Sequence, residues 1–289
     1  METTLLVHGV PPEAADPLAT ELEEIVLSAG GAGEAGGAVP ALIGLVDGVP
    51  TVGMTRGQLD AMLEAHAASP VAKANTANLG LLMHRRQHAA TTVSATMEIA
   101  AAAGVQVFAT GGIGGVHRGY GTQLDISSDL AALARFPVAV VASGVKSILD
   151  VAATREALET LGVPVVGFQT DSFPSFYLRT SDATVDARFD TADELAAFVR
   201  AELKRTGRGI LIANPIPEDD ELDREEFGQW LVRAEAVAIA QGAQGRSVTP
   251  LILGALHQIS SGKTLTANLS LIRSNVSLAA AVATAGSGS

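Results

Sequence analysis

Short apolar, β-branched runs alternate along the chain with stretches of helical period, in the order strand then helix, repeated. The runs Thr3–Val7, Ala41–Val46, Val105–Ala109, Val138–Ala142, Val165–Phe168 and Gly209–Ala213 read as strands. Several are apolar on both faces, which suits a sheet covered on both sides. Helical spacing occupies Pro17–Ala29, Arg56–Ala68, Thr91–Ala103, Ser128–Arg135, Lys146–Leu161 and Ala192–Arg205. The alternation predicts an α/β fold, three layers (α/β/α) around a mostly parallel central sheet.

After Asn214-Pro215-Ile216-Pro217 the strand pattern stops, and helices are predicted over Asp219–Gln241, Pro250–Ser260 and Thr264–Ala283. The two prolines suit a turn or the entry to a helix. The expected organisation is one domain, with an α/β core over residues 1–217 and a helical C-terminal cap over 218–285. There is no internal repeat. The glycine-rich Gly30–Gly37 segment is expected to loop out as flexible surface, and Gly286–Ser289 to fray.

Composition narrows the function. With 47% hydrophobic residues in 289, the chain can bury a full core. A net charge of −12 argues against neutralising the phosphates of a nucleic acid, while leaving room for one small phosphorylated ligand. The absence of cysteine removes disulfides, thiolate metal sites and a cysteine nucleophile, and points to the cytoplasm. No signal-peptide pattern or membrane-length apolar run is present.

The densest chemical signal is the run Thr110-Gly111-Gly112-Ile113-Gly114-Gly115-Val116-His117-Arg118-Gly119 at the end of a predicted strand. Glycines let backbone N–H groups approach an anion, and Thr110, His117 and Arg118 add side-chain donors. The glycines alone fit an ordinary turn equally well. The spacing is not that of a dinucleotide fingerprint. Asp125 and Asp129 bracket serines at a helix start, where Asp125 suits Mn²⁺ or Mg²⁺; a plain helix cap by Asp125 or Ser127 explains the spacing without a metal. Lys146 follows an apolar strand at the sheet edge where ligands gather, a setting in which a desolvated lysine can attack a carbonyl. Lys73 is a weaker candidate of the same kind. Glu2 and His8, flanking the first predicted strand, are candidate acid–base groups, and Asn268 on the last helix can offer an amide.

Taken together these motifs resemble one family, the pseudouridine-5′-phosphate glycosidases, also known as indigoidine-synthase-A-like proteins. The resemblance rests on the Thr110–Gly119 run, Asp125-Ile126-Ser127, Lys146-Ser147-Ile148-Leu149-Asp150 and Ala213-Asn214-Pro215-Ile216-Pro217-Glu218, and with shorter matches it spans nearly the whole chain. It implies that Lys146 forms a Schiff base with ribose 5-phosphate and that Asp125 holds manganese. It further implies that Lys73, Val93, Ser127, Asp129 and Asn268 contact the ligand, and that Thr110 and His117 help hold the sugar phosphate. Glu2-Thr3-Thr4, followed by His8-Gly9, looks like the segment that carries the family's general acid, which places that role on Glu2. A homotrimer is implied by the same resemblance.

Two features depart from the family pattern. Asn75-Thr76-Ala77-Asn78 replaces a charged Ser-Arg-Arg-Asp segment, and Gly30–Gly37 is inserted. The lost charges tilt the expectation toward a C-glycosynthase that joins ribose 5-phosphate to a carbon nucleophile on a larger, less polar aglycone. Hydrolysis of pseudouridine 5′-phosphate to uracil and ribose 5-phosphate is the alternative. A sugar-phosphate-binding protein without turnover and an aldolase-like lyase are the readings from other classes.

Overall fold

A computed structural model describes residues 1–29, 37–119, 121, 124–242 and 248–285, without the side chains of 248–250. The Gly286–Ser289 tail and all of the glycine-rich segment but Gly37 lie outside these residues. The fold is α/β, with a mostly parallel sheet, flanking helices and a helical C-terminal region. Five parallel strands lie in the spatial order Ala187–Phe189, Val165–Phe168, Ile210–Ala213, Ala139–Ala142, Val107–Ala109. In register, Val140 sits between Phe108 and Leu211. The side chains of Val138–Ala142 and Ile210–Ala213 are fully buried, as strands covered on both faces require.

A second sheet was not anticipated. Its four strands run in the order Val49–Val52, Ile43–Val46, Ala89–Thr91, Ala72–Ala74, with an antiparallel hairpin at one edge and a parallel pair at the other. The two strands of the parallel pair are three residues long, too short for an alternating pattern to declare itself.

Thr3–Val7, expected as a strand, is instead part of a helix, Thr3–His8. Its buried residues are Thr3, Leu6 and Val7, spaced i, i+3, i+4, and Thr3 Oγ1 donates to the Ile43 carbonyl at 3.0 Å. Tertiary packing on one helical face overrides the β-branched composition. Glu2, just ahead of it, is extended and bridges to Ile43.

The helix expected to open at Lys146 begins only at Val151, capped by the Asp150 carboxylate, which accepts from Ala153 N–H at 2.9 Å. Lys146 therefore lies in the connection after the Ala139–Ala142 strand. Arg56–Ala68 and Ala192–Thr206 form as expected, each with a threonine N-cap, at Thr55 and Thr191. The C-terminal region comprises helices Arg224–Ala240, Val248–Ile259 and Lys263–Thr284. The last of these packs on the Val107–Ala109 and Ala139–Ala142 strands, so the helical cap closes over the sheet edge that bears the glycine run. Among the described residues no helix is long and apolar enough to cross a membrane.

Candidate active site

Glu2, Lys73, Thr110, Lys146 and Asn268 meet at one cavity of about 280 Å³. It opens at the C-terminal ends of the parallel strands, the edge where open α/β sheets bind ligands. Thr110 follows the Val107–Ala109 strand, Lys146 follows Ala139–Ala142, and Lys73 comes from the second sheet. His8 and Gly9 from the end of the first helix, and Leu253, Gly254 and His257 from the C-terminal region, complete much of the wall.

The loops that present these groups are tied to one another. Lys146 N–H donates to the Ile113 carbonyl at 3.1 Å and Ile113 N–H to the Gly144 carbonyl at 3.0 Å, which zips the lysine loop onto the glycine run. Gly144 has φ +72°, and a Cβ there would fall 1.8 Å from the Pro174 carbonyl oxygen, so only glycine fits. From the last helix the fully buried Asn275 donates through Nδ2 to the Thr110 carbonyl at 2.8 Å, while its Oδ1 accepts from Asn214 Nδ2 at 2.9 Å. Lys73 is held from behind, because Asn78 Nδ2 donates to its carbonyl at 2.9 Å and Asn75 Oδ1 accepts from the N–H groups of Ala77 and Asn78. The uncharged Asn75–Asn78 segment is thus an Asx-type turn that braces the lysine.

Electrostatically the cavity holds two amines around one carboxyl. Glu2 is 8% exposed and accepts from Thr110 Oγ1 at 2.6 Å. Burial pushes its pKa above the usual carboxylate range, against the opposing pull of Lys146 and the Thr110 hydrogen bond. The direction of that shift favours the protonated carboxyl, the form a general acid needs. Burial, with repulsion from Lys146, lowers Lys73 to about 8, Glu2 pulling the other way. Burial, with the charge of Lys73, holds His8 down at about 4, so its imidazole is neutral at physiological pH. Among the described residues, neither Lys73 nor Lys146 is engaged in an ion pair.

The remaining expected residues gather beside the cavity, behind the glycine run. Ser127 caps the Ser128–Leu133 helix by accepting from Asp129 N–H at 3.2 Å. The Asp129 carboxylate accepts from Ser94 N–H at 3.0 Å and Gly114 N–H at 2.8 Å, which binds the glycine run to the start of the helix that Val93 opens. Asp125 and His117 face each other, with Nε2 and Oδ2 3.9 Å apart, and both are partly open to solvent.

The anion cradle expected of the whole glycine run is only partly available. The N–H groups of Ile113, Gly114, Val116 and His117 are bonded to protein oxygens. Arg118 is also spent, donating to the carbonyls of Ser147 and Leu149 and lying near Glu235. It ties loops together where a phosphate donor was expected. Sequence reasoning missed Tyr177 and His257 on the cavity wall, whose positions depend on packing and follow no motif; the aromatic cluster Phe173-Pro174-Ser175-Phe176-Tyr177 was the one signal available.

Among the described residues no three His, Cys, Asp or Glu side chains gather as a metal cluster. The Asp125–His117 pair fits an ion that takes one or two protein ligands and keeps its waters, as Mg²⁺ and Mn²⁺ do. A closed, all-protein metal cage is not what these residues build.

The family model described as indigoidine synthase A like protein matches residues 1–285. A pseudouridine-5′-phosphate glycosidase from Nocardioides sp. is 44% identical over 285 residues, which cover 98% of this chain and 89% of that protein. An indigoidine synthase A-like protein from Thermotoga maritima superposes with a TM-score of 0.87 at 36% identity, over 98% of this chain and 90% of its own. The prealnumycin C-glycosynthase AlnA, solved in complex with ribulose 5-phosphate, superposes with a TM-score of 0.87 at 34% identity, over 99% and 90%.

Proposed function

The chain belongs to the indigoidine synthase A-like family, and on that premise we propose that it hydrolyses the C-glycosidic bond of pseudouridine 5′-phosphate, giving uracil and ribose 5-phosphate. The observation that carries this reading is the meeting of Lys146, Lys73 and a buried, Thr110-bonded Glu2 in one cavity. Lys146 Nζ attacks C1′ of the sugar; the C1′–O4′ bond breaks and the ring oxygen takes a proton. The C1′–carbon bond to the aglycone then breaks, its electron pair taking a proton from Glu2, which leaves an imine between C1′ and Lys146. Water adds to the imine and releases ribose 5-phosphate and the free amine.

Mn²⁺ at Asp125, with His117 beside it, would supply positive charge near the phosphate end of the sugar. Lys73 adds a cation on the other side of the cavity, and Ser127, Asp129 and the start of the helix opened by Val93 hold the shape of the wall between them. A homotrimer in the cytoplasm accompanies this reading; Val232 and Ile239, large apolar side chains exposed on the Arg224–Ala240 helix, are the kind of residues a subunit contact covers.

The likeness to AlnA favours a second reading, in which a carbon nucleophile adds to the same imine. The 44% identity to a pseudouridine-5′-phosphate glycosidase, against 34% to AlnA, outweighs the tilt drawn from the lost charges. Incubation with pseudouridine 5′-phosphate and Mn²⁺ followed by chromatography tests the proposal. Release of uracil is expected; no uracil, beside an imine that still forms with ribose 5-phosphate, selects the synthase.

A further inference from the structure

We propose that Asn275 is a positioning residue for cleavage of the carbon–carbon bond: its amide fixes Glu2, held on Thr110, relative to the loop that carries Lys146. The inference rests on the imine reading above and deepens it, because it gives control of the proton-transfer step to a residue that lies outside the cavity wall.

Asn275 sits on the last helix and is completely buried. A buried amide costs stability unless its donor and acceptor are both paired, so its partners say what it is for. Among the described residues all of its side-chain partners stand at the C-terminal ends of strands. Ile210–Ala213, Ala139–Ala142 and Val107–Ala109 are neighbours in the sheet, and they run out into Asn214, Ser143 and Thr110. Asn275 reaches all three. Its Nδ2 donates to the Thr110 carbonyl at 2.8 Å, with Ser143 Oγ at 3.2 Å and the Gly111 carbonyl at 3.3 Å, and its Oδ1 accepts from Asn214 Nδ2 at 2.9 Å. None of these partners carries a charge.

Two of these strand ends lead to the chemistry. Thr110 Oγ1 donates to Glu2 Oε1 at 2.6 Å, and Ser143 opens the connection that carries Lys146. The Thr110 N–H still pairs with the Val141 carbonyl, whereas its own carbonyl is held by Asn275. Asn268, Leu271 and Asn275 share one buried face of the helix, spaced i, i+3, i+7. A Cβ on Gly111 would fall 3.3 Å from Leu271 Cδ1, so the glycine run lets that face come close. The grip of Asn275 therefore sets the helix against the glycine run, and with it Asn268 on the cavity wall.

The two reacting groups depend on Asn275 unequally. The lysine loop has anchors of its own: Lys146 N–H donates to the Ile113 carbonyl at 3.1 Å, and Ser147 Oγ donates to the Ser175 carbonyl at 2.8 Å. The Glu2 carboxyl has Thr110 as its hydrogen-bond partner, so it follows wherever Thr110 goes. A proton passes only over hydrogen-bond distance, and a displacement of about 1 Å caused by a change remote from the chemistry can cost about 10²-fold. Imine formation needs Lys146 and not Glu2, so it survives the same displacement.

The test compares Asn275→Ala and Asn275→Asp with wild type. Three things are measured: kcat and KM for release of uracil from pseudouridine 5′-phosphate, the rate of borohydride trapping at saturating ribose 5-phosphate, and circular dichroism at the assay temperature. Folded Asn275→Ala should lose about 10- to 100-fold in kcat, with KM and trapping within about threefold of wild type. The introduced aspartate can donate to the Thr110 carbonyl only while protonated, the form that burial favours. The kcat of Asn275→Asp relative to wild type should therefore fall by about tenfold or more as pH rises from about 6 to about 9. If Asn275→Ala does not fold, that ratio decides. A folded Asn275→Ala with kcat within about threefold of wild type overturns the proposal, as does trapping that falls in step with kcat, which would make Asn275 a structural link alone. A ratio for Asn275→Asp that does not change with pH overturns it too. Wild-type protein that neither traps ribose 5-phosphate nor releases uracil would bring down the imine reading itself, a failure distinct from the other three.

Discussion

Replacing Lys73 by methionine should stabilise the protein at neutral pH, and the size of the effect can be worked from its surroundings. Burial and the neighbouring Lys146 lower the Lys73 pKa from 10.5 to about 8. At about 1.4 kcal/mol per tenfold change in proton affinity, that lowering corresponds to about 3.5 kcal/mol. The folded-state pKa lies below the unfolded one, so the unfolded chain binds more protons between about 8 and 10.5, and stability rises with pH through that window. Below about 8 the full cost of burying the charge is present. Methionine keeps the length and apolar contacts of the stem without the charge. Urea unfolding of wild type and Lys73→Met at pH 7, 8.5 and 10 measures the difference. The variant should be more stable by about 1 to 3 kcal/mol at pH 7, with the gap closing toward pH 10. Parallel curves across that range, or a variant less stable at pH 7, would refute the electrostatic account of the cavity.

Glu2→Gln preserves an acceptor for Thr110 Oγ1 but removes the proton donor, so cleavage should fall by about 10² to 10⁴ while borohydride trapping with ribose 5-phosphate persists; rates and adduct mass are read on the same preparation. Asn275→Ala removes the Asn275 donor from the Thr110 carbonyl and leaves the Asn214 amide with Ser274 Oγ alone, and should cost about 1 to 3 kcal/mol, read by denaturant unfolding. Asp125→Ala should weaken Mn²⁺ binding, measured by calorimetry, by more than the roughly 10- to 100-fold typical of outer partners, and unchanged affinity would move the metal elsewhere.

What could be read from the chain differs between fold and site for physical reasons. The Val165–Phe168 strand and the Arg56–Ala68 helix lie where the sequence puts them, because the strand is a short continuous apolar run and the helix opens on a Thr55 capping box. Thr3–Val7 misled because its β-branched composition says nothing of the Ile43 strand and Thr91 that it packs against as a helix. The strands Ala72–Ala74 and Ala89–Thr91 are set by pairing with each other, which no local window reveals.

At the site, Glu2, Lys73, Thr110, Lys146 and Asn268 could be picked out because family motifs mark them, though they lie up to 266 positions apart in sequence. Arg118 was read as a phosphate donor on charge alone, whereas its guanidinium is consumed by loop carbonyls. Tyr177 escaped notice because its place on the cavity wall is a property of packing in three dimensions.

The central claim is that Lys146, and not the neighbouring Lys73, makes the covalent bond to the sugar. Borohydride reduction in the presence of ribose 5-phosphate, followed by peptide mapping, tests it directly. The account predicts one reduced pentose phosphate on the peptide containing Lys146 and none in Lys146→Arg. An adduct on Lys73, or an unmodified protein after reduction, would contradict it.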